Sequence, residues 1–146
     1  MSDSIVRDLS RKIRLAYRHG PLLAVSFVLV VLTRITLSLR GHLPALAAIR
    51  RVKESGSISP RPQTVASIVW AVRHTSRLVP AATCLTQSLV TRFLLAQNGH
   101  ESKIRIGVAS GEDGKFEAHA WVLYDGIIII GGSDESVSRY QPMVDL

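Results

Sequence analysis

FEAHAWVLYDGIIII, residues 116 to 130, decides how the second half of this chain is built. Its first nine residues alternate as a strand does. Phe116, Ala118, Ala120, Val122 and Tyr124 fall on one face, with Glu117, His119, Trp121 and Leu123 on the other. Asp125 and Gly126, set between two apolar runs, predict a tight hairpin turn, so that IIII leaves as an antiparallel partner and ends at Gly131 and Gly132. His119 is the odd member of this pattern. Leu or Val would fill a strand without a polar ring to satisfy, so the imidazole calls for a partner.

The elements on either side follow from the same kind of reading. KIRIGVAS, 103 to 110, turns Lys103 and Arg105 outward and Ile104, Ile106 and Val108 inward, and GEDGK joins it to the central strand. TCLTQSLVTRFLLAQNG predicts a helix opened by Thr83 and closed by Asn98 and Gly99. A helix followed by a three-stranded antiparallel meander results, a unit stable where one hairpin is not. Before residue 80 the period is helical. SDSIVRDLSRKIRLAYRH is amphipathic, Gly20 and Pro21 break it, and a second helix over 22 to 39 stops at Gly41. LPALAAIRRVKE makes a third and SGSISPRP a loop. Thr64 caps a fourth helix, TVASIVWAVRHTSRLV, with Val65, Ile68, Val69 and Val72 on one stripe and Pro80 at its end. The fold class is therefore α+β, in one domain of 146 residues. A helical subregion, 1 to 80, precedes a subregion, 81 to 146, in which the cysteine-bearing helix packs on a small antiparallel sheet.

Composition narrows the function classes. With 47% apolar residues the chain can bury a substantial core. Cys84 is the single cysteine, which excludes an internal disulfide framework and a cysteine-rich zinc site and fits a cytoplasmic protein. The five histidines lack the spacing of a helical metal site, so neither metal nor cofactor is expected. The net charge of +7 is uneven: residues 1 to 80 hold 13 Lys/Arg against 3 Asp/Glu, and residues 81 to 146 hold 5 against 8. Such a front half attracts an acidic partner or forms a solvated helical surface, with Arg11, Arg14, Arg50 and Arg51 as docking candidates. Nucleic acid is not expected, because no aromatic residues interleave the Arg cluster. In the run LLAVSFVLVVL the uncharged stretch Pro21 to Thr33 is 13 residues, against roughly 20 for a span. A buried or partner-covered helix is expected there, rather than a membrane-spanning or exported segment.

Cys84 falls at the first helical position after Thr83, where free backbone amides and the helix dipole favour a thiolate nucleophile. A lone cysteine is more commonly a small buried hydrophobe, and His119 is what changes the reading. If the histidine's face packs against the Cys84 helix, Ala118 and Ala120 keep the strand slim, Trp121 shields the ring, and a Cys and His pair forms. The alternative for His119 is a hydrogen-bonded core histidine.

Taken together, PAATCLTQSL (80 to 89), LLAQNGH, KIRIGV (103 to 108), FEAHAWVLYDG (116 to 126) and IIIIGG (127 to 132) resemble the transglutaminase-like cysteine proteases. Within that group they resemble more closely the leader peptidases of lasso peptide biosynthesis, the short form of the B protein family. Cys84 and His119 are 119 − 84 = 35 residues apart. The resemblance implies a cysteine peptidase that cuts the leader from a ribosomally made precursor, delivered by a separate small leader-recognition protein and followed by an ATP-using cyclase. It implies Cys84 as nucleophile and His119 as the base that later protonates the leaving amine. The family's third residue, an Asp about a dozen positions after the histidine, meets Gly131 here. Asp134 is the substitute carried forward as the catalytic acid, with a backbone carbonyl or water as its competitor. The expected hairpin pairs His119 with Gly132, so Asp134 has to bend inward. Asp125 reads as a turn residue and Glu117 as a rim charge, while Glu135 accompanies Asp134 just past the strand. The oxyanion donors are the Cys84 amide and one other group, Gln87 or Ser88, whose plainer role is helix surface. Two readings from other classes stand beside this one: a non-catalytic scaffold or binding protein of the same fold, and a related acyl transferase or amidase.

Overall fold

Pro21 does not divide the N-terminal helices. In a computed structural model of the chain, Ser2–Arg40 forms one helix, α1, with Pro21 inside it. The structure describes the backbone of residues 2–40, 63–111 and 114–146, and the side chains of 20–39, 63–111 and 114–146. The expected third helix and the SGSISPRP loop lie outside the described residues. An interior proline removes one helical hydrogen bond and crowds the preceding turn. Against that cost, Leu22, Ser26 and Val30 sit four residues apart and are all buried, and α1 packs on the next two helices along this face.

The second helix, α2, spans Val65–Ser76, and Thr64 caps it by accepting from the Ser67 amide at 3.2 Å. It ends at Ser76, earlier than Pro80 alone suggests. Ile68, Ala71 and Val72 are buried on its inner stripe, with Val65 and Val69 partly buried against the same core. The third helix, α3, spans Cys84–Gln97, with Thr83 as N-cap and Asn98 as C-cap, and Gly99 takes a φ of +78°. Two contacts tie the start of α2 to the end of α3: the Gln63 amide donates to Asn98 Oδ1, and His100 Nε2 bonds the Gln63 carbonyl, each at 2.8 Å.

The sheet follows with β1 (Lys103–Ser110), β2 (Phe116–Tyr124) and β3 (Ile127–Ile130), then a four-residue helix, α4 (Asp134–Val137), and β4 (Gln141–Asp145). All pairings are antiparallel, in the order β3-β2-β1-β4. Asp125 and Gly126 turn the hairpin with φ of +49° and +79°, the left-handed pair a two-residue turn of this kind requires. The expected meander has three strands and the sheet has four: QPMVD forms the fourth without an apolar alternation, and its residues are all exposed. Backbone pairing holds it instead. Ile104 and Leu146 exchange hydrogen bonds at 2.9 and 2.8 Å, Arg105 grips Asp145 at 2.6 Å, and Pro142 is tolerated because β4 is an edge strand.

A second difference lies in register. Tyr124 pairs Ile127 and Leu123 pairs Ile128, but Val122 pairs Ile130, so a bulge at Ile129 moves the rest of the returning chain by one residue. His119 is therefore not opposite Gly132 as a regular hairpin would have it. The Arg73 guanidinium of α2 donates to the Ile129 carbonyl at 2.9 Å, giving that carbonyl a partner at the irregularity. The core is the layer between helices and sheet: Leu89, Val90, Leu94 and Leu95 of α3, Ile68 and Val72 of α2, Leu22 and Val30 of α1, and Ile104, Ala120, Val122 and Ile130 of the sheet.

Candidate active site

Alternation along β2 sends neighbouring residues to opposite sides of the sheet. Ala120 and Val122 join the core beneath α3, with their β1 partners Ile106 and Ile104. His119 and Trp121 share the other side with Gly107 and Arg105. The expectation that the histidine's face packs against the Cys84 helix is corrected here: α3 covers the Ala120 and Val122 face. The physical reason is that this face is aliphatic on both central strands, whereas the other carries Glu117, His119 and Arg105.

That second side has a small layer of its own. Trp121 is only 3% exposed. Tyr140, between α4 and β4, stacks on His119 with centroids 5.1 Å apart and planes 25° apart, and His119 stacks on Trp121 at 6.1 Å and 26°. Gly107 makes room for the group. A Cβ there would meet the Trp121 ring at 2.8 Å and the Tyr140 Cβ at 3.0 Å. Outside the stack, the Arg139 guanidinium reaches Glu117 at 2.8 Å and the Tyr140 hydroxyl at 2.6 Å, and lies 4.8 Å from the Tyr140 ring centroid. Glu117 is thus engaged at the rim.

His119 Nε2 is hydrogen bonded to the Gly131 carbonyl. A carbonyl can only accept, so Nε2 carries the proton, and in the neutral ring the lone pair is on Nδ1. Gly131 occupies the place where the resemblance implies an acid, and it offers a main-chain acceptor instead. Its φ is +95°, and a Cβ would lie 2.6 Å from the Ala120 carbonyl oxygen and 2.7 Å from Trp121 Cα, so no larger residue fits this backbone path. Asp134 is exposed and opens α4 behind the Ser133 cap. Among the described residues no hydrogen bond or ion pair joins Asp134 to His119. Asp125 is exposed in the turn and Glu135 is exposed on α4.

Cys84 is the first residue of α3, half-buried against the edge of the core, and Thr83 accepts from the Thr86 amide at 3.4 Å. The far end of α3 is fixed beside Tyr124, whose ring meets that of His100 edge-on at 5.9 Å. On the sheet, α3 packs chiefly against β2. β3 stops at Ile130 opposite Val122, leaving the edge of β2 beside His119 unpaired by that strand. Cys84 belongs to the helix covering one side of the sheet, and the imidazole lies on the other side with Trp121 and Tyr140. Among the described residues no hydrogen bond joins them.

Gln87 is half-buried, but Ser88 is fully buried, with no partner for its hydroxyl among the described residues, which corrects the expectation of a helix-surface role for it. The Gly131 carbonyl fills the place of the backbone carbonyl expected as the competitor of Asp134, and Tyr140 is a further neighbour of the ring with no counterpart among the expected site residues. Tyr140 follows a short helix and sits 21 residues beyond His119, with no motif to link them. Gly131 carried a signal, since it stands where an acid is expected, but a residue without a side chain points only to its backbone. No metal-ligating cluster of three or more His, Cys, Asp or Glu occurs among the described residues.

Comparison with curated proteins gives no match, and neither does comparison with solved structures. The model of the transglutaminase-like superfamily matches residues 27–145, from the middle of α1 to the end of β4. A match over that much of the chain covers the helical layer as well as the sheet, and it gathers the cysteine helix and the histidine strand into one known framework: the chain belongs to the transglutaminase-like superfamily, which includes cysteine proteases.

Proposed function

We propose that the chain is a cysteine peptidase that removes the leader from a lasso peptide precursor in the cytoplasm. The observation that carries the chemistry is the His119 hydrogen bond to the Gly131 carbonyl, which fixes the tautomer and leaves Nδ1 as the base. Cys84, at the start of a capped helix, supplies the nucleophile. The substrate class rests on the resemblance of residues 80–132 to the leader peptidases.

In this reading Nδ1 takes the thiol proton and Sγ attacks the scissile carbonyl. The developing oxyanion is met by the Cys84 amide and the Gln87 side chain. The bond to the amine breaks as the imidazolium returns the proton to it, leaving a thioester. Water then attacks the thioester, giving its proton to Nδ1, and the ring passes it to the departing sulfur. A leader-recognition protein raises the local concentration of precursor, and a cyclase consumes the freed core peptide.

A second reading, a scaffold or binding protein of the same fold, is favoured by one observation: α3 and the His119 ring stand on opposite sides of the sheet, with no hydrogen bond between Cys84 and His119. The two readings part in one experiment. Precursor and leader-recognition protein are incubated with the wild type, Cys84→Ala or His119→Ala, and products are read by mass spectrometry. Leader release by the wild type alone supports the peptidase; release by either variant at the wild-type rate, or by none of the three, rejects it. Rapid alkylation of Cys84 by iodoacetamide at about pH 6, slowed in His119→Ala, reports the activated thiol without any substrate.

A further inference from the structure

A surface helix of a water-soluble domain normally shows its partners an apolar face and water a polar one. α1 does not. Leu22, Ser26 and Val30 point into the core, and the opposite side from Pro21 to Leu39 is apolar as well. Val25, Phe27, Val28, Leu32, Ile35 and Leu39 are between 41% and 78% exposed. At 100° per residue these six cover an arc of about 160°, in which Ser38 is the one polar side chain. Arg34, the sole charge between Pro21 and Leu39, is half-buried and turned along the helix, its guanidinium bonded to the Ser38 hydroxyl.

Length and composition qualify Gly20–Leu39 to cross a membrane, which corrects the shorter estimate from the uncharged run alone. The packing argues against a crossing. α2 and α3 lie against the inner face of α1, so a spanning helix would draw their polar ends into hydrocarbon, where unpaired helix-end groups find no water. One face is committed to protein and one to something else.

The charge around the segment identifies that second environment. Before it stand Arg7, Arg11, Lys12, Arg14 and Arg18 against Asp3 and Asp8; after it come Arg40, Arg50, Arg51 and Lys53 against Glu54. A broad apolar arc flanked by cations is the pattern of a helix lying in the interface of an anionic bilayer. A second copy of the chain fits less well. A parallel helix pair would set five cations beside their own copies, and a two-stranded seam uses a narrower stripe than this arc. We propose that the outward face of α1 over Gly20–Leu39 docks on an anionic lipid surface, lying in it rather than crossing it, and so holds the domain at the membrane. The proposal does not depend on the peptidase reading.

Flotation with lipid vesicles tests it. The full chain is mixed with vesicles of phosphatidylcholine alone, or of phosphatidylcholine and phosphatidylglycerol at about three to one. Expected are recovery with the anionic vesicles, weaker recovery as salt rises, and release by alkaline carbonate. Val28→Glu/Leu32→Glu, two changes on exposed positions, should lower vesicle affinity at least about tenfold while circular dichroism and the thermal midpoint stay near wild type. Should that variant misfold, Arg11→Gln/Arg14→Gln offers a second reading, with binding to anionic vesicles reduced and the apolar face intact. Failure to float with anionic vesicles overturns the proposal. So does equal binding by Val28→Glu/Leu32→Glu in folded form, resistance to carbonate extraction, or a lipid-free dimer that this variant dissolves.

Discussion

The two faces of the central strand differ in what they require of their residues. On the α3 side, Ala120 and Val122 meet Ile104, Leu94 and Leu95 in a continuous aliphatic layer, where any residue of suitable size and no polarity serves. On the other side, His119, Trp121 and Tyr140 form a three-ring stack whose members are fixed by particular partners: the Gly131 carbonyl, the space above Gly107, and Arg139. One strand thus separates an aliphatic packing face from an aromatic, polar one by a period of two. Substitutions on the first face should act on folding free energy, and those on the second should act mainly on the imidazole.

The largest effect should come from the aliphatic face. Leu95→Ala removes a fully buried side chain and should destabilise the protein by about 2–5 kcal/mol, measured by urea unfolding. A cost below about 1 kcal/mol would mean that the helix–sheet layer is not the main core. On the opposite face, Gly107→Ala forces a Cβ into the stack. We expect about 1–3 kcal/mol of destabilisation, together with a displaced His119 ring resonance by nuclear magnetic resonance. Tyr140→Ala should cost less in stability, about 1 kcal/mol, but should free the imidazole. The predicted readout is a loss of the ring-current shift of His119, with turnover falling more than precursor affinity; Tyr140→Phe should retain both, because stacking does not use the hydroxyl.

Asp134→Asn sharpens the same comparison. With the Gly131 carbonyl on Nε2, turnover should be within about twofold of wild type, and a drop of about a hundredfold or more would establish Asp134 as a charged third member. The smallest effect is expected at the sheet edge. Arg105 holds the Asp145 carboxyl below its ordinary range through their hydrogen bond. A carboxylate with a lowered folded pKa contributes stability above its unfolded value of about 3.9, and that contribution disappears as pH falls through the folded value. Asp145→Asn should therefore cost under about 1 kcal/mol at neutral pH, because the pair is exposed, and nothing once the wild-type carboxylate is protonated.

Much of this was legible from the chain because it is local. Thr64 and Thr83 announce their helices through short side chains that reach the third amide, and Asn98 with Gly99 closes α3 for the complementary reason. The alternation of β1 and β2 and the Asp125 and Gly126 turn are equally local. β4 leaves no mark in the sequence because an edge strand held by backbone pairing needs no apolar pattern, and α1 is continuous because Pro21, a local breaker, is overridden by distant packing.

Sequence by itself determined the fold class, the single cysteine at a helix start, and a histidine set apart on a strand. It could not determine which face of that strand the cysteine helix would cover. That choice belongs to the tertiary structure, because it depends on the summed aliphatic area of two strands meeting three helices rather than on any one residue. The partner of the imidazole was decided there too: a bulge at Ile129 shifts the returning chain by one residue, and the Gly131 carbonyl, invisible in a side-chain pattern, arrives at Nε2.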